Sequence, residues 1–410
     1  AMARITGFLL LLLLSCPLPS KEMTMKSIRE FGVLPNNDPL TNKMNLQKAI
    51  DWASRCGAAL WVEPDEQGYP MAGGLVLRQN AGLIGVHGPV GRGTRHPQQQ
   101  RPVGSVFVIE DEESAFIMVE SATQIRGVQF WYPKQTVTDS SRIIPYPATI
   151  RVAQNSSAQG VTLSCLTFYG EYLAMDFNAA PSFPCEQILF EHCYGYPLSG
   201  QFIRIDRCYD IPRILHCHVN PANRRLIEGG YSVQVIDAVV RRGSYCYAID
   251  HTDNAQLMDL FAFGVYGGVR LGAASYGQLT NFNFDCVTVG IYKDGDQDFN
   301  RNWQISQGSI IANTGGRLAE IHPIVITGQG HTSLVNVECF SGGNSALTTL
   351  KQSQDYLCVL GTEKLTVSLF GCRMRNYAAD HPFTILNDRA VIQAVACIDR
   401  LGNPFNFPAP

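Results

Sequence analysis

The sequence predicts an all-β chain: a right-handed, single-stranded parallel β-helix of about ten coils with an N-terminal capping helix. Three observations carry this. The first is repetition. A strand, a polar turn, a second strand and a loop recur from about Phe116 to Ile398, as in Phe202–Asp206 followed by Ile211–Cys217, and again in Pro323–Thr327 followed by Leu334–Cys339. The second is spacing. Second strands end near Phe130, Phe168, Cys193, Cys217, Phe263, Phe284, Ile310, Cys339, Cys372 and Cys397, mostly 21 to 33 residues apart. The third is the lack of a helix in most units. A coil with one inward apolar row cannot bury that row alone, so coils must stack.

The N-terminus comes first. Arg4, the run Phe8–Leu14 and Ser15-Cys16-Pro17 read as a secretory signal over residues 1–20. The run is too short to span a bilayer. Leu13-Leu14-Ser15-Cys16 also fits a lipobox, which would put a lipid on Cys16; the alternative is plain cleavage near Ser20. The expectation is an exported protein, secreted, periplasmic or held at the cell surface.

Residues 21–105 read as the cap and first coils. Ser27–Leu34 is expected as a first strand. Asn42 or Asn45 is expected to cap a helix that buries Leu46, Ala49, Ile50 and Ala53 and stops at Gly57. Residues 86–104 form a Gly/Pro/Gln-rich loop suited to lining a groove. The body runs over 106–400. Tyr231–Gly243 is expected as a helical insertion, with Val235, Ile236, Val239 and Val240 on one side. Residues 401–410 are too proline-rich for another coil.

The cap resembles the N-terminus of the pectate-lyase superfamily. The matching residues are Phe31-Gly32-Val33, Leu46–Ile50, Gly57, Trp61-Val62-Glu63-Pro64, Gly68-Tyr69 and Leu83-Ile84-Gly85. The usual Gly/Asp/Thr-rich turn is replaced by Pro35–Asn42. The resemblance implies a right-handed parallel β-helix. That superfamily is similar to polygalacturonases, lyases, glucanases, epimerases and phage tailspikes alike. The polygalacturonase motifs Asn-Thr-Asp, Asp-Asp and Arg-x-Lys are missing here, and Gly328-Gln-Gly-His331 only loosely echoes Gly-His-Gly.

Composition bounds the function. The chain has 410 residues, 45% apolar and 16% charged, with a net charge of −3. The isoelectric point near 6.3 gives no basic footprint for nucleic acid. Thirteen cysteines include Cys16. The rest sit mostly at strand ends without a CxxC pair, which reads as buried thiols in a stacked core. The expected partner is a polysaccharide. A membrane is met only through a lipid on Cys16, and no oligomeric state is set.

Stacking the coils aligns their polar turns, and the candidate site lies there. Asp250, His251 and Asp253 stand on one side of the small-residue turn Gly272–Tyr276, and Asp294 and Asp296 on the other. Turns two coils apart lie about 9–10 Å apart. Inverting glycosidases separate their acid and base by about 6.5–9.5 Å to admit a water. Asp250 or Asp253, with Asp294 or Asp296, are therefore the candidate acid and base, with His251 and His331 assisting. Asp206, Arg207, Arg270, Tyr276, Lys293 and Trp303 are candidate substrate contacts. No cofactor is required. Asp294, Asp296 and Asp298 alternate as hard oxygen ligands for Ca²⁺ would, but no glutamate completes an EF-hand. The leading expectation is a glycoside hydrolase. The first alternative is a polysaccharide lyase with Arg207, Arg270 or Lys293 as base. The second is a non-catalytic glycan-binding β-helix.

Overall fold

The computed structural model describes residues 25–86, 101–224, 230–295, 301–313, 320–340, 355–375, 383–399 and 401–404. The segment expected to be a secretory signal, the loop over 87–100, Asp296, Asp298 and residues 405–410 lie outside them.

The chain enters through a cap. Helix α1 spans Pro39–Cys56. Its N-cap is Asp38, not Asn42 or Asn45. The Asp38 carboxylate accepts from the N–H groups of Leu40 and Thr41 at 3.0 and 2.9 Å. Pro39 begins the helix, where no N–H is needed. Asn42, one turn inside, is fully buried and holds the cap together. Its Oδ1 accepts from Leu34 N–H at 2.9 Å, and its Nδ2 donates to the carbonyls of Leu34 and Pro70 at 2.8 and 2.9 Å. Leu46, Ala49, Ile50 and Ala53 form the buried stripe, and Gly57 ends the helix at φ 65°. The expected first strand is shorter. Only Lys26–Ser27 pairs with a neighbour, because Ser27 and Glu30 form a capping box that turns Ile28–Phe31 into a 3₁₀ turn.

Beyond the cap the chain coils through parallel ladders. One is a separate sheet of twelve strands, among them Ile203–Tyr209, Tyr245–Thr252, Gly267–Leu271, Val289–Lys293, Ile324–Ile326 and Leu357–Val359. The other strands join into a second sheet, where most coils contribute two short strands, such as Arg213–Leu215 and His218–Val219. A coil thus has three strands where the sequence suggested two. In most coils the third is two or three residues long and follows a sharp corner; Asn283–Val287 has five residues, and in Asn302–Ala312 and Gly330–Phe340 the second and third strands are continuous.

That corner recurs in register. Cys165, His192, His216, Asp259, Asn281, Gln307, Asn336 and Ala396 all take φ between 50° and 60°. Left-handed backbone reverses the chain within a single residue. It costs a non-glycine residue about 1–2 kcal/mol. The residue that follows each corner by one, such as Cys193, Cys217, Leu260, Phe282, Val337, Cys372 and Cys397, faces inward and is buried. Aromatic rungs fill the early coils, with Phe130 stacked on Phe168 at 5.1 Å and Phe116 edge-on to Phe130 at 5.5 Å. The cysteines of the described residues are thiols not joined in disulfides, most of them buried.

The insertion is helix α2, Val233–Arg241, which buries Val235, Val239 and Val240. Ser232 ties it to Val137 and Thr138. It leads into the start of Tyr245–Thr252, the strand edge opposite the acidic turns. No helix among the described residues is long and apolar enough to cross a membrane.

Candidate active site

Alternation along the strands of the separate sheet sends every second side chain outward. In Gly267–Leu271 that residue is Arg270. Its register partners are Ala248 on one side and Tyr292 on the other. Ile249, Leu271 and Lys293 pair along the next, inward column. The following residues, Asp250, Gly272 and Asp294, therefore stand in line at the strand ends. Asp206 pairs with Asp250 and extends the row by one coil.

Glycine in the middle of the row makes the arrangement possible. A Cβ on Gly272 would lie 1.9 Å from Asp250 Oδ1. The Asp250 carboxylate occupies that space and accepts from Ala273 N–H at 3.0 Å. Arg270 bridges the two flanking acids. Its Nη1 donates to both Asp250 oxygens at 3.1 and 2.9 Å, and its Nη2 donates to Asp294 at 3.4 and 3.3 Å. Burial pushes the Asp250 carboxyl above its ordinary value. Arg270 and the Ala273 N–H oppose that, while Asp206 and Asp294 add to it. Burial also works against the Arg270 charge, but Asp250 and Asp294 outweigh it and hold the guanidinium above its usual range.

Asp206 is gripped from two sides. Arg207 donates to Oδ2 at 2.7 Å, and the His251 ring nitrogen Nδ1 meets Oδ1 at 2.8 Å. Arg207 and His251 both have left-handed backbone, φ 58° and 34°. Such strain at residues beside a charged row is the kind that clusters at functional sites. Asp176 and Arg204 continue the charged face one column over, 3.4 Å apart.

An aromatic patch adjoins this row. Tyr245 lies over Gly267, where a Cβ would meet its ring at 2.2 Å. Its centroid is 5.7 Å from Tyr266 and 5.6 Å from Tyr292. Burial raises the phenol pKa of all three. These rings make an apolar, polar-tipped surface next to Arg270.

The expected residues divide. Asp206, Arg207, Asp250, His251, Arg270 and Asp294 come together. Asp253 sits past the corner, where its Oδ1 accepts from Ile211 N–H at 3.4 Å. Asp296 lies outside the described residues. Lys293 is not a groove residue: its position in the strand faces inward, it is 1% exposed, and Nζ donates to the Gln329 carbonyl at 2.5 Å. Trp303 is likewise inside, fully buried, with Nε1 donating to the Ser275 carbonyl at 3.1 Å. Ser275 Oγ in turn donates to Gly272 O at 2.7 Å, so Trp303 braces the central turn from within. Tyr276 is covered by Arg301, 5.5 Å above its ring. His331 is on the other sheet, with Nδ1 2.6 Å from Thr366 Oγ1. Burial and then Lys293 lower its pKa. Tyr245 and Tyr266 were missed by sequence reasoning. A period of two would put Tyr245 on the same face as the core residue Tyr247, so the local pattern gave no signal that its ring lies outside.

No family model matches the chain, and no curated protein matches it by sequence. Solved structures do match. The A-module of a mannuronan C-5 epimerase from Azotobacter vinelandii is 11% identical with TM-score 0.52, covering 93% of this chain and 100% of that one. A DFA-IIIase from Arthrobacter chlorophenolicus A6 is 10% identical with TM-score 0.51, covering 92% and 94%. A family 28 exopolygalacturonase from Yersinia enterocolitica is 9% identical with TM-score 0.52, covering 90% and 78%. The likeness is one of fold: the chain is a right-handed parallel β-helix.

Proposed function

We propose that the row Asp206–Asp250–Gly272–Asp294 is the active site of an exported glycoside hydrolase acting on a polysaccharide. The observation that carries the reading is the pair of carboxylates held on one guanidinium across Gly272, one of them raised by burial. Asp250 is the general acid. Burial shifts its pKa upward, the direction a general acid needs. Asp294, two rungs away, is the general base that takes a proton from water. Two rungs separate the backbones by about 9–10 Å, and both side chains lean onto Arg270, toward the about 6.5–9.5 Å of an inverting pair. Arg270 sets their geometry. Tyr245, Tyr266 and Tyr292 offer rings against which a sugar can stack.

The same geometry disfavours Arg270 and Lys293 as the base of an elimination, which leaves Arg207, paired with Asp206, to that alternative. A lyase base must be neutral when it takes the α-proton, yet Arg270 is held more firmly cationic than usual. Lys293 points into the core. The names of the fold neighbours, an epimerase, a DFA-IIIase and an exopolygalacturonase, fit a carbohydrate-active reading and supply no residue roles.

The test is product analysis on acidic and neutral polysaccharides, following reducing ends and unsaturated uronates together, with and without chelator. New reducing ends without unsaturation, lost by about 10²-fold or more in Asp250→Asn and Asp294→Asn, support the hydrolase. Unsaturated product moves the reaction to a lyase. Glycan binding that survives both substitutions, with no product, makes the groove a binding surface.

A further inference from the structure

We propose that His322, Asp355 and Cys358 form a binding site for one soft divalent cation of the Zn²⁺ class. The site stands apart from the row of aspartates. It lies at the start of the strands Ile324–Ile326 and Leu357–Val359, whereas the aspartates stand at the ends of theirs. It does not rest on the hydrolase reading.

The fold brings the three donors together from adjacent rungs. Val325 and Cys358 are register partners, so His322, three residues before Val325, and Asp355, three before Cys358, come to the same edge. The His322 N–H donates to the Thr288 carbonyl at 3.1 Å, which fixes the backbone there. One donor atom from each side chain lies within 4.8 Å of the other two. Nδ1 of His322 is 3.0 and 2.9 Å from the two Asp355 oxygens.

The burial is unusual for such groups. Asp355 is fully buried and Cys358 is 4% exposed, while His322 keeps an opening to solvent. An aspartate is almost never fully buried unless it is paired or ligating. Cys358 occupies an outward column, yet Val289, Val325, Leu360 and the tyrosine patch cover it. One nitrogen, one oxygen and one sulfur on a rigid sheet edge are the donor set that zinc takes. Three protein ligands leave a fourth position open. The exposed Glu320 faces that side and is felt by both His322 and Cys358.

A Cys–His–Asp nucleophile is the competing use of the same three residues. Cys358 is 4% exposed and packed among apolar neighbours, the setting of an inert structural thiol rather than a reactive one. A coordinating thiol gives up its proton when it binds a divalent cation.

The test uses the full chain, reduced, stripped with chelator and titrated with Co²⁺, then Zn²⁺. The expected result is one equivalent of Co²⁺ with a thiolate-to-cobalt charge-transfer band, displaced by Zn²⁺. Cys358→Ser abolishes the band. His322→Gln weakens Co²⁺ binding by about 10–100-fold or more. Cys56→Ser, at the end of the cap helix, changes neither. Zn²⁺ raises the melting temperature of the unsubstituted protein and of Cys56→Ser only. Circular dichroism of the metal-free variants checks their folding. Should Cys358→Ser not fold, His322→Gln decides, since His322 alone of the three keeps an opening to solvent. The proposal is overturned by no charge-transfer band, by a band that persists in Cys358→Ser, or by unchanged binding in His322→Gln. Rapid alkylation of Cys358 at neutral pH without metal also overturns it, in favour of the nucleophile.

Discussion

Gly272→Ala tests the architecture of the aspartate row without knowledge of the substrate. Gly272 has no left-handed backbone in the structure, so alanine meets no conformational penalty there. The whole effect is spatial. The new Cβ would sit 1.9 Å from Asp250 Oδ1, 3.0 Å from Asp250 Cγ and 3.1 Å from Arg270 Cζ. Asp250 must leave its pocket and give up the Ala273 N–H and part of its grip on Arg270. Overpacking costs about 1–3 kcal/mol. A hydrogen bond to a charged group is worth about 1.5–3 kcal/mol, less here because Asp250 keeps 21% of its side chain in water. The substitution recovers about 0.4–1 kcal/mol by stiffening the unfolded chain. A net loss of about 1–2 kcal/mol remains. In an Asp250→Ala background there is no carboxylate to displace, so only the unfolded-state gain is left. Urea unfolding of the four proteins in this double-mutant cycle is therefore expected to give a coupling of about 2 kcal/mol. Equal cost of Gly272→Ala in both backgrounds would refute the claim that this glycine exists to seat Asp250.

Substitutions at three further residues, Asp250, Asn42 and Lys293, have expected outcomes. Asp250 holds its proton to higher pH when folded than its ordinary 3.8, so its contribution to stability is full below that value and is lost as pH rises through the folded one; urea melts from about pH 4 to 7 should show that decline in the unsubstituted protein and not in Asp250→Asn. If Asp250 is the general acid, kcat/KM should fall on the alkaline side with the same group and lose that limb in Asp250→Asn. Asn42→Ala strands the Leu34 N–H and the Leu34 and Pro70 carbonyls inside the cap, and should lower unfolding free energy by about 2–3 kcal/mol by chemical denaturation. Lys293→Met should lower stability by about 1–3 kcal/mol through the abandoned Gln329 carbonyl while leaving kcat/KM within about threefold, because the side chain faces the core.

The repeat was legible because stacking demands it: inward positions of every coil must be apolar, and the sequence shows them at a near-constant interval. The third strand of each coil was not. Its corner is filled by Cys165, His192, Asp259, Gln307 or Ala396, and only a few corners use the asparagine or glycine that signal left-handed backbone. In a solenoid the corner is fixed by the rungs above and below, so neighbouring coils supply what local propensity elsewhere provides. The helix cap was misplaced for a related reason. Asn42 is a good N-cap by type, but its amide is needed by Leu34 and Pro70 in tertiary contacts that no local pattern displays.

The aspartate row shows how far alignment of turns reaches and where it stops. Asp250 and Asp294 could be placed on either side of Gly272 because strands of one ladder share a register, so counting residues from the inward Ile249, Leu271 and Lys293 suffices. The same count, made strictly, would have put Lys293 inside, since it follows the outward Tyr292. Its charge drew it into the groove on paper, while the alternation held in the molecule. Asp253 fails differently. It lies three residues past Asp250, beyond the end of the strand, where the period of two no longer applies and the corner geometry decides the direction. Arg270 was assigned to substrate, yet its nearest anions are the two aspartates themselves. A cation so placed can still meet an acidic sugar, but only by sharing its hydrogen bonds, which loosens Asp250 and Asp294. Ligand charge and catalytic geometry are therefore coupled through one side chain. An acidic polymer and a neutral one should respond oppositely to Arg270→Lys, the acidic substrate losing mainly KM and the neutral one mainly kcat.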